Sequence, residues 1–289
     1  MVGVLIFGLA NSVGLALMAI GFSFVFGISG IANLAYGAFY VLGGFITYIL
    51  LSFLGVPYWV AALAAMAALF VVGALTYRIV MQRVRGQLLQ EVVVTLALGI
   101  VILECLRATG FVEYRQFLPA FIEGSLNLGG IGIEYQRVFV IGIGLTLFFV
   151  LWLFTSYTRI GLALRAMSQD ELTALSQGMD TNRLAMLSMG IGAVLAVIAA
   201  LAIVPIGLLT IDVGYDVLIF ALAVAVLGGL GSTPGIIIGA FVLGYAQSLT
   251  ATYIGPQWTM VVTFSAIVLV LLIKPSGILG KQKELEERV

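Results

Sequence analysis

The chain of 289 residues contains no histidine, one cysteine (Cys105) and three lysines (Lys274, Lys281 and Lys283). Each shortage removes a class of function. Without histidine, and with a single thiol, there is neither a disulfide framework nor the ligand set of the familiar zinc sites, so no metal site is expected. None of the lysines sits in the G-x-x-x-x-G-K-[ST] setting that cradles nucleotide phosphates, so the chain has no P-loop of its own. Charge is equally scarce. Charged residues make up 9% of the chain, against about 25% in a soluble domain whose surface must be wetted. Thirteen bases balance thirteen acids, for a net charge of zero, which leaves no basic footprint for nucleic acid. What fills the chain instead is apolar: 62% of residues, with a mean hydropathy of +1.21. These numbers describe an all-α polytopic membrane protein.

The few charges fall in bands, and the intervals between them mark the spans. Residues 1–77 carry no charge at all, and further free runs cover 92–103, 138–158, 184–211 and 217–273. A crossing needs about 20 residues. The spacing therefore predicts about nine helices (eight to ten), near 3–25, 31–54, 57–77, 91–110, 137–157, 185–205, 214–230, 233–253 and 257–273. The segments near 214–230 and 233–253 are expected to be short, Gly-broken pieces of the kind that surround transporter cavities. All of 1–289 is expected to form a single transmembrane domain. Three basic clusters orient it: Arg78, Arg83 and Arg85; Arg159, Arg165 and Arg183; and Lys274, Lys281, Lys283 and Arg288. An even number of spans separates each from the next, which puts all three in the cytoplasm by the positive-inside rule. The 157–184 loop and the 276–289 tail are then cytoplasmic, and the 111–136 loop, with Glu113, Glu123 and Glu134, is external. The opening residues lack the basic n-region of a secretory signal peptide.

Several segments carry polar groups that a lipid environment makes expensive. Asn33 lies in the charge-free region, with Tyr36 and Tyr40 on the same helical face at spacings of three and four; Asn11 and Ser12 add polar groups to the preceding span. They line a translocation path, or they hydrogen-bond between helices and fix the bundle. Glu104 is the clearest ionisable residue inside a span. Arg107, three residues on, is placed to pair with it and keep it ionised. The loop from Thr158 to Arg183 contains a short amphipathic helix: Ser168 as its cap, Asp170 and Glu171 in its first turn, Leu172, Leu175 and Met179 as an apolar stripe, and Gly178 as its stop. A membrane interface or a partner protein would cover the stripe. The opening acids favour a protein groove. Finally, Val226 to Gly235 (VLGGLGSTPG) makes a tight reversal that lines a cavity, meets a partner or serves as a plain turn. Gly235 and Gly239 begin a small-residue seam suited to close helix packing.

Together these segments resemble the permease subunits of bacterial branched-chain amino acid ABC importers, from about Asn11 to Pro275. The first motif is Gly27, Gly30, Asn33, Ala35 and Gly37, followed by Leu42, Gly43 and Gly44. The second is Gly161, Ala163, Leu164, Arg165, Ala166, Asp170, Ala174 and Gly178, and the third is the Val226–Gly235 run. Tyr36 departs from the family pattern, in which His or Gln often stands there.

The resemblance implies a transport subunit rather than an enzyme, forming half of a pathway for hydrophobic amino acids in the bacterial inner membrane. It implies a homologous permease or second copy as partner, two cytoplasmic ATPase subunits that bind ATP and Mg, and a periplasmic solute-binding protein. The polar residues already singled out, Asn11, Ser12, Asn33, Tyr36 and Tyr40 with Gly37, are the candidates to line that pathway, and the resemblance implies ATPase coupling through the loop helix, at Arg165, Asp170, Glu171, Ala174, Leu175 and Gly178. The reversal's own residues are Gly228, Gly229, Gly231, Ser232 and Gly235. Two alternatives stay open: a permease for urea or another small polar solute within the same family, and a gradient-driven transporter using Glu104.

Overall fold

The computed structural model describes residues 2–110, 118–119, 121–122, 124–128 and 131–280. Glu113, Arg115, Glu123 and the charged residues from Lys281 to Arg288 lie outside the described residues. The chain forms a helical bundle: α1 (Val2–Ser29), α2 (Tyr36–Ser52), α3 (Tyr58–Thr76) continuing through a π turn (Tyr77–Met81) into a short α4 (Gln82–Val84), and α5 (Leu88–Ala108). After a two-stranded hairpin, β1 (Ser125–Leu128) with β2 (Ile131–Glu134), come α6 (Tyr135–Tyr157), α7 (Arg159–Gln169), α8 (Glu171–Ser176), α9 (Thr181–Ile203), α10 (Asp212–Gly228), α11 (Thr233–Tyr253) and α12 (Thr259–Ile273). The hairpin is the one addition to the all-α expectation among the described residues, and it sits in the 111–136 loop.

Each of the nine expected segments coincides with a helix, but they are not alike. Seven are long and apolar enough to cross a membrane, the last being α12 together with the 3-10 turn Pro256–Trp258 that leads into it, 18 residues in all. The other two, α2 and α10, have 17 residues each, or about 25 Å at 1.5 Å per residue, short of a hydrocarbon layer of about 30 Å. Two expectations are thereby corrected. The segment 31–54, taken as a full crossing, yields only α2, because the chain between Gly30 and Ala35 is not helical. The segment 233–253, taken as short, is the full 21-residue α11.

The break before α2 follows from its residues. Gly30 adopts φ +69°, a conformation glycine takes without steric cost. Asn33 Oδ1 then accepts a hydrogen bond from the Ala35 amide at 3.2 Å, the local side-chain turn that competes with helix. An opened backbone inside a membrane bundle must find partners: the Gly30 amide donates to Phe26 O at 2.8 Å, and Thr95 Oγ1 of α5 donates to Ala32 O at 3.1 Å. The break before α10 is built differently, from a 3-10 turn at Val204–Ile206 containing Pro205, followed by Gly207.

The two short helices belong to two halves of one design. α1 packs on α11 as α9 packs on α3; α2 packs on α9 and α5 as α10 packs on α1 and α12. The series α1, α2, α3, α5 therefore corresponds to α9, α10, α11, α12, with α6 between them. α1 ends where α9 begins, since Val25 near the end of α1 clusters with Ala185 and Met189 near the start of α9, so the second series runs in the inverted sense. Inverted repeats with paired broken helices are a recurrent transporter plan.

One end of the bundle gathers most of the described basic residues, Arg107 and Arg137 lying at the other. Tyr77 and Met81 of the π turn, Met167 of α7 and Ile31 join the same cluster as Val25 and Ala185. The segment after α12 docks on the Gly-rich reversal, the Ile278 amide donating to Leu227 O at 2.9 Å and the Leu279 amide to Gly228 O at 3.0 Å.

Candidate functional site

The residues singled out as a pathway separate into two groups. Asn11 and Ser12 lie in the seam between α1 and α11. Asn11 Nδ2 donates to Gly244 O at 3.2 Å and to Gln247 Oε1 at 3.1 Å. Gln247 Nε2 continues to Thr263 Oγ1 of α12 at 2.8 Å. Ser12 Oγ turns back to Gly8 O at 2.7 Å, and its backbone lies so close to Gly244 that an added Cβ there would overlap it. A polar chain thus ties α1, α11 and α12 together, an arrangement that replaces the missing hydrophobic drive between helices in lipid.

Asn33, Tyr36, Gly37 and Tyr40 form the second group, fully enclosed where α2 packs on α9 and α10 and Tyr36 reaches α1. Tyr36 lies edge-on to Phe22 with ring centroids 6.4 Å apart, and its hydroxyl stands against Gly21, where an added Cβ would sit 2.7 Å from it. Gly37 meets Gly214 at the start of α10, so closely that a Cβ on Gly37 would overlap the Gly214 carbonyl oxygen. The first turns of the two short helices are therefore in backbone contact. Asn33 Nδ2 is buried without a hydrogen-bond partner among the described residues, a state that costs about 1–3 kcal/mol. Beside this crossing a narrow apolar crevice runs between α2, α5 and α10, lined by Leu34, Ala38, Gly99, Leu103, Gly214 and Leu218 among others.

Glu104 is paired as its spacing implies. Arg107 Nη1 donates to Glu104 Oε1 at 2.8 Å, and Arg107 Nη2 also approaches Asp212 Oδ1 of α10 at 3.7 Å. The guanidinium sits between two carboxylates at the junction of α5 and α10, so Glu104 is not the isolated carboxylate that the gradient-driven alternative asks of it.

The 157–184 loop differs in detail from the expectation. One helix capped by Ser168 was expected; two are present. Thr158 caps α7, its hydroxyl oxygen accepting from the Gly161 amide at 3.0 Å, while Ser168 lies inside α7 and donates to Arg165 O. Asp170 adopts an extended backbone, breaks the helix and caps α8, accepting from the amides of Leu172 (2.9 Å) and Thr173 (3.1 Å). A carboxylate is an excellent N-cap, which is why the break falls here. The Thr173 hydroxyl bonds the same carboxylate and, with those amides, holds it below its ordinary pKa against a small desolvation cost. Gly178, at φ +80°, ends the segment.

The faces of α8 also divide. Ala174 is buried against the bundle, and Met179 is half-buried. Leu172 and Leu175 point outward, Leu172 being 79% exposed. Arg165, on α7, is exposed and reaches Ser156 Oγ at 3.3 Å. Glu171 forms an ion pair with Arg85. Sequence reading used Arg85 only to orient the chain, and nothing local to residues 77–91 points to a partner on the 157–184 loop.

In the reversal, Gly228 and Gly235 are in backbone contact, Gly229 faces Gly277 and Gly280 of the segment after α12, and Gly231 receives Gly27 of α1. Ser232 caps α11, accepting from the Gly235 amide at 3.2 Å. The glycines thus seat three chain segments at the basic end.

A family model described as "Branched-chain amino acid transport system / permease component" matches residues 4–272. The chain is 32% identical to the high-affinity branched-chain amino acid transport system permease protein BraD of Pseudomonas aeruginosa, over 96% of this chain and 95% of that protein. It is 29% identical to the corresponding permease protein LivH of Escherichia coli (strain K12), over 92% and 91% of the two chains. A solved structure, PsaBC from Streptococcus pneumoniae in complex with Fab, superposes with a TM-score of 0.51 at 16% identity, covering 98% of this chain and 94% of that one; at that identity the likeness concerns the fold alone. With the family model spanning nearly the whole helical bundle, the chain belongs to the branched-chain amino acid transport permease family.

Proposed function

We propose that the chain is the permease subunit of an ATP-binding-cassette importer in a bacterial cytoplasmic membrane, forming half of the pathway for branched-chain amino acids. The other half is a homologous permease or a second copy. Two cytoplasmic ATPase subunits supply the ATP and Mg sites, and a periplasmic receptor delivers the solute. Whole-length likeness to BraD and LivH supports the substrate class. The observation that carries the mechanism is α8: a six-residue helix, held out at the basic end, that turns Leu172 and Leu175 away from the bundle. An apolar pair so placed suits a groove on an energy-supplying protein. Asn33, with its free amide, and Tyr36, Gly37 and Tyr40 are assigned to the gate at the crossing of α2 and α10.

Leu172→Arg tests this reading, because it changes only the outward face. Expressed with its ATPase subunits and receptor, the variant should lose ATPase co-purification and at least tenfold of ATP-driven leucine uptake, while the chain stays folded. Leucine uptake by the wild type without ATP, or ATP-driven uptake of urea in place of leucine, would refute it.

A further inference from the structure

A single guanidinium joins four segments at the basic end. Arg85 Nη1 donates to Tyr77 Oη at 2.7 Å and to Asn182 Oδ1 at 3.1 Å, Nη2 donates to Glu171 Oε1, and Tyr77 Oη donates to Asn182 Oδ1 at 3.0 Å. Tyr77 opens the π turn below α3, Glu171 opens α8, and Asn182 lies in the first turn of α9. The node is sheltered on its Tyr77 side, where the Arg85 side chain is 16% exposed and Tyr77 is buried, and open on the other, where the Glu171 side chain is 42% exposed and Asn182 is exposed. Its base is fixed as well. Gly86, at φ +87°, turns the chain after Arg85, and its amide donates to Glu91 Oε1 at 2.8 Å, locking the α4–α5 connection. Among the described residues, Glu171–Arg85 is the only ion pair between α8 and the rest of the bundle.

We infer that Arg85 is a positioning residue that transmits displacement of α8 to the lower end of α3, through Glu171 on one side of its guanidinium and Tyr77 on the other. The planar fork of arginine suits this task, since it holds both partners in fixed directions where a lysine ammonium would act as a point charge. The receiving element suits it too. A π turn carries one residue more per hydrogen-bonded ring than the α-helix around it and recurs at functional sites, so Tyr77–Met81 is the segment of α3 best able to change register. Asn182 couples the same movement to α9, the helix packed against α1, α2 and α3. The inference rests on the reading of α8 as the ATPase-docking helix, but the physical link is measurable without that partner.

In the purified chain, Glu171→Gln weakens the charged bond while keeping its shape. Amide exchange should rise severalfold at Tyr77–Met81 as well as in α8, whereas Leu172→Arg should leave Tyr77–Met81 unchanged. Exchange confined to α8 in Glu171→Gln overturns the relay, whatever the chain transports. In vesicles holding the complete importer, Arg85→Glu and Glu171→Arg should each lower solute moved per ATP hydrolysed at least tenfold with the ATPase still bound. The double exchange should regain at least half of the ratio. Singles that keep the wild-type ratio, or a bound and folded double no better than either single, overturn it as well. A wild-type complex with no ATP-driven uptake refutes the proposed function instead, and the exchange measurement still decides the relay.

Discussion

The polar chain through Asn11, Gln247 and Thr263 permits a quantitative test of what holds α1 in place. Gln247→Leu keeps the approximate volume and removes two interhelical bonds, from Asn11 at 3.1 Å and to Thr263 at 2.8 Å. Neither partner is orphaned, because Asn11 keeps Gly244 O and Thr263 keeps Thr259 O. The full penalty of an unsatisfied buried group therefore does not apply. Interhelical hydrogen bonds in a bilayer contribute about 0.6 kcal/mol on average and up to about 1.7, so the single variant should lose about 1–3 kcal/mol. Combined with Asn11→Leu in a double-mutant cycle, the shared bond should appear as a coupling of about 0.6–1.7 kcal/mol, or about threefold to twentyfold in the unfolding constant. Detergent-induced unfolding in mixed micelles measures it. Trp258, one residue before α12, reports fluorescence from the end of the chain's third partner helix. Strict additivity would refute the bond's role. Loss of solute uptake in Asn11→Leu at unchanged stability would place Asn11 on the pathway rather than in the seam.

Two further outcomes follow from particular residues. Gly37→Ala should destabilise the protein by about 1–3 kcal/mol, the usual cost of overpacking, because its Cβ overlaps the Gly214 carbonyl; Gly142→Ala, inside α6 where an added Cβ meets nothing within 4 Å, is the control in the same unfolding assay and should lose nothing, gaining up to about 1 kcal/mol from helix propensity. The depressed pKa of Asp170 has a definite sign: the folded pKa lies below the unfolded one, so its contribution is present above the unfolded value and is lost as pH falls through the folded one. Hydrogen exchange at Leu172 and Thr173, corrected for intrinsic rates, should therefore be insensitive to pH above the ordinary carboxylate range and lose protection below it. Asp170→Ala should abolish that dependence, and a dependence that persists refutes the cap.

Helix placement was legible because charge is so rare here that its bands end spans, as Arg78 and Glu91 do on either side of the α3–α5 connection, while inside the charge-free runs 1–77 and 217–273 the length of a crossing divided the chain. Helix length was not. Residues 31–54 contain nothing that hydropathy alone would use to interrupt a crossing, and the Ala32 carbonyl opened at the Asn33 turn is met both locally, by the Leu34 amide at 3.0 Å, and from α5, by Thr95 Oγ1 at 3.1 Å. The inverted repeat was hidden for a related reason. Its two breaks use different chemistry, Gly30 with an Asn turn in one half and Pro205 with Gly207 in the other, so the halves correspond in packing while their breaks carry no shared sequence mark.

The same distinction governs the sites. Glu104 and Arg107 are three residues apart on one helix, and their pairing could be read from spacing. Glycine-rich motifs marked the close approaches at Gly37 and Gly229 without naming Gly214 or Gly277 as the surfaces approached. Arg85 and Glu171 are separated by 86 positions, and each has an adequate local explanation, one as a topogenic base and the other as a helix-start acid. Only their meeting over Tyr77 gives either a further task. Local roles are written in local sequence; a contact that carries force between a loop and a bundle depends on which helices the fold brings side by side, and for α8 that neighbour is the π turn below α3.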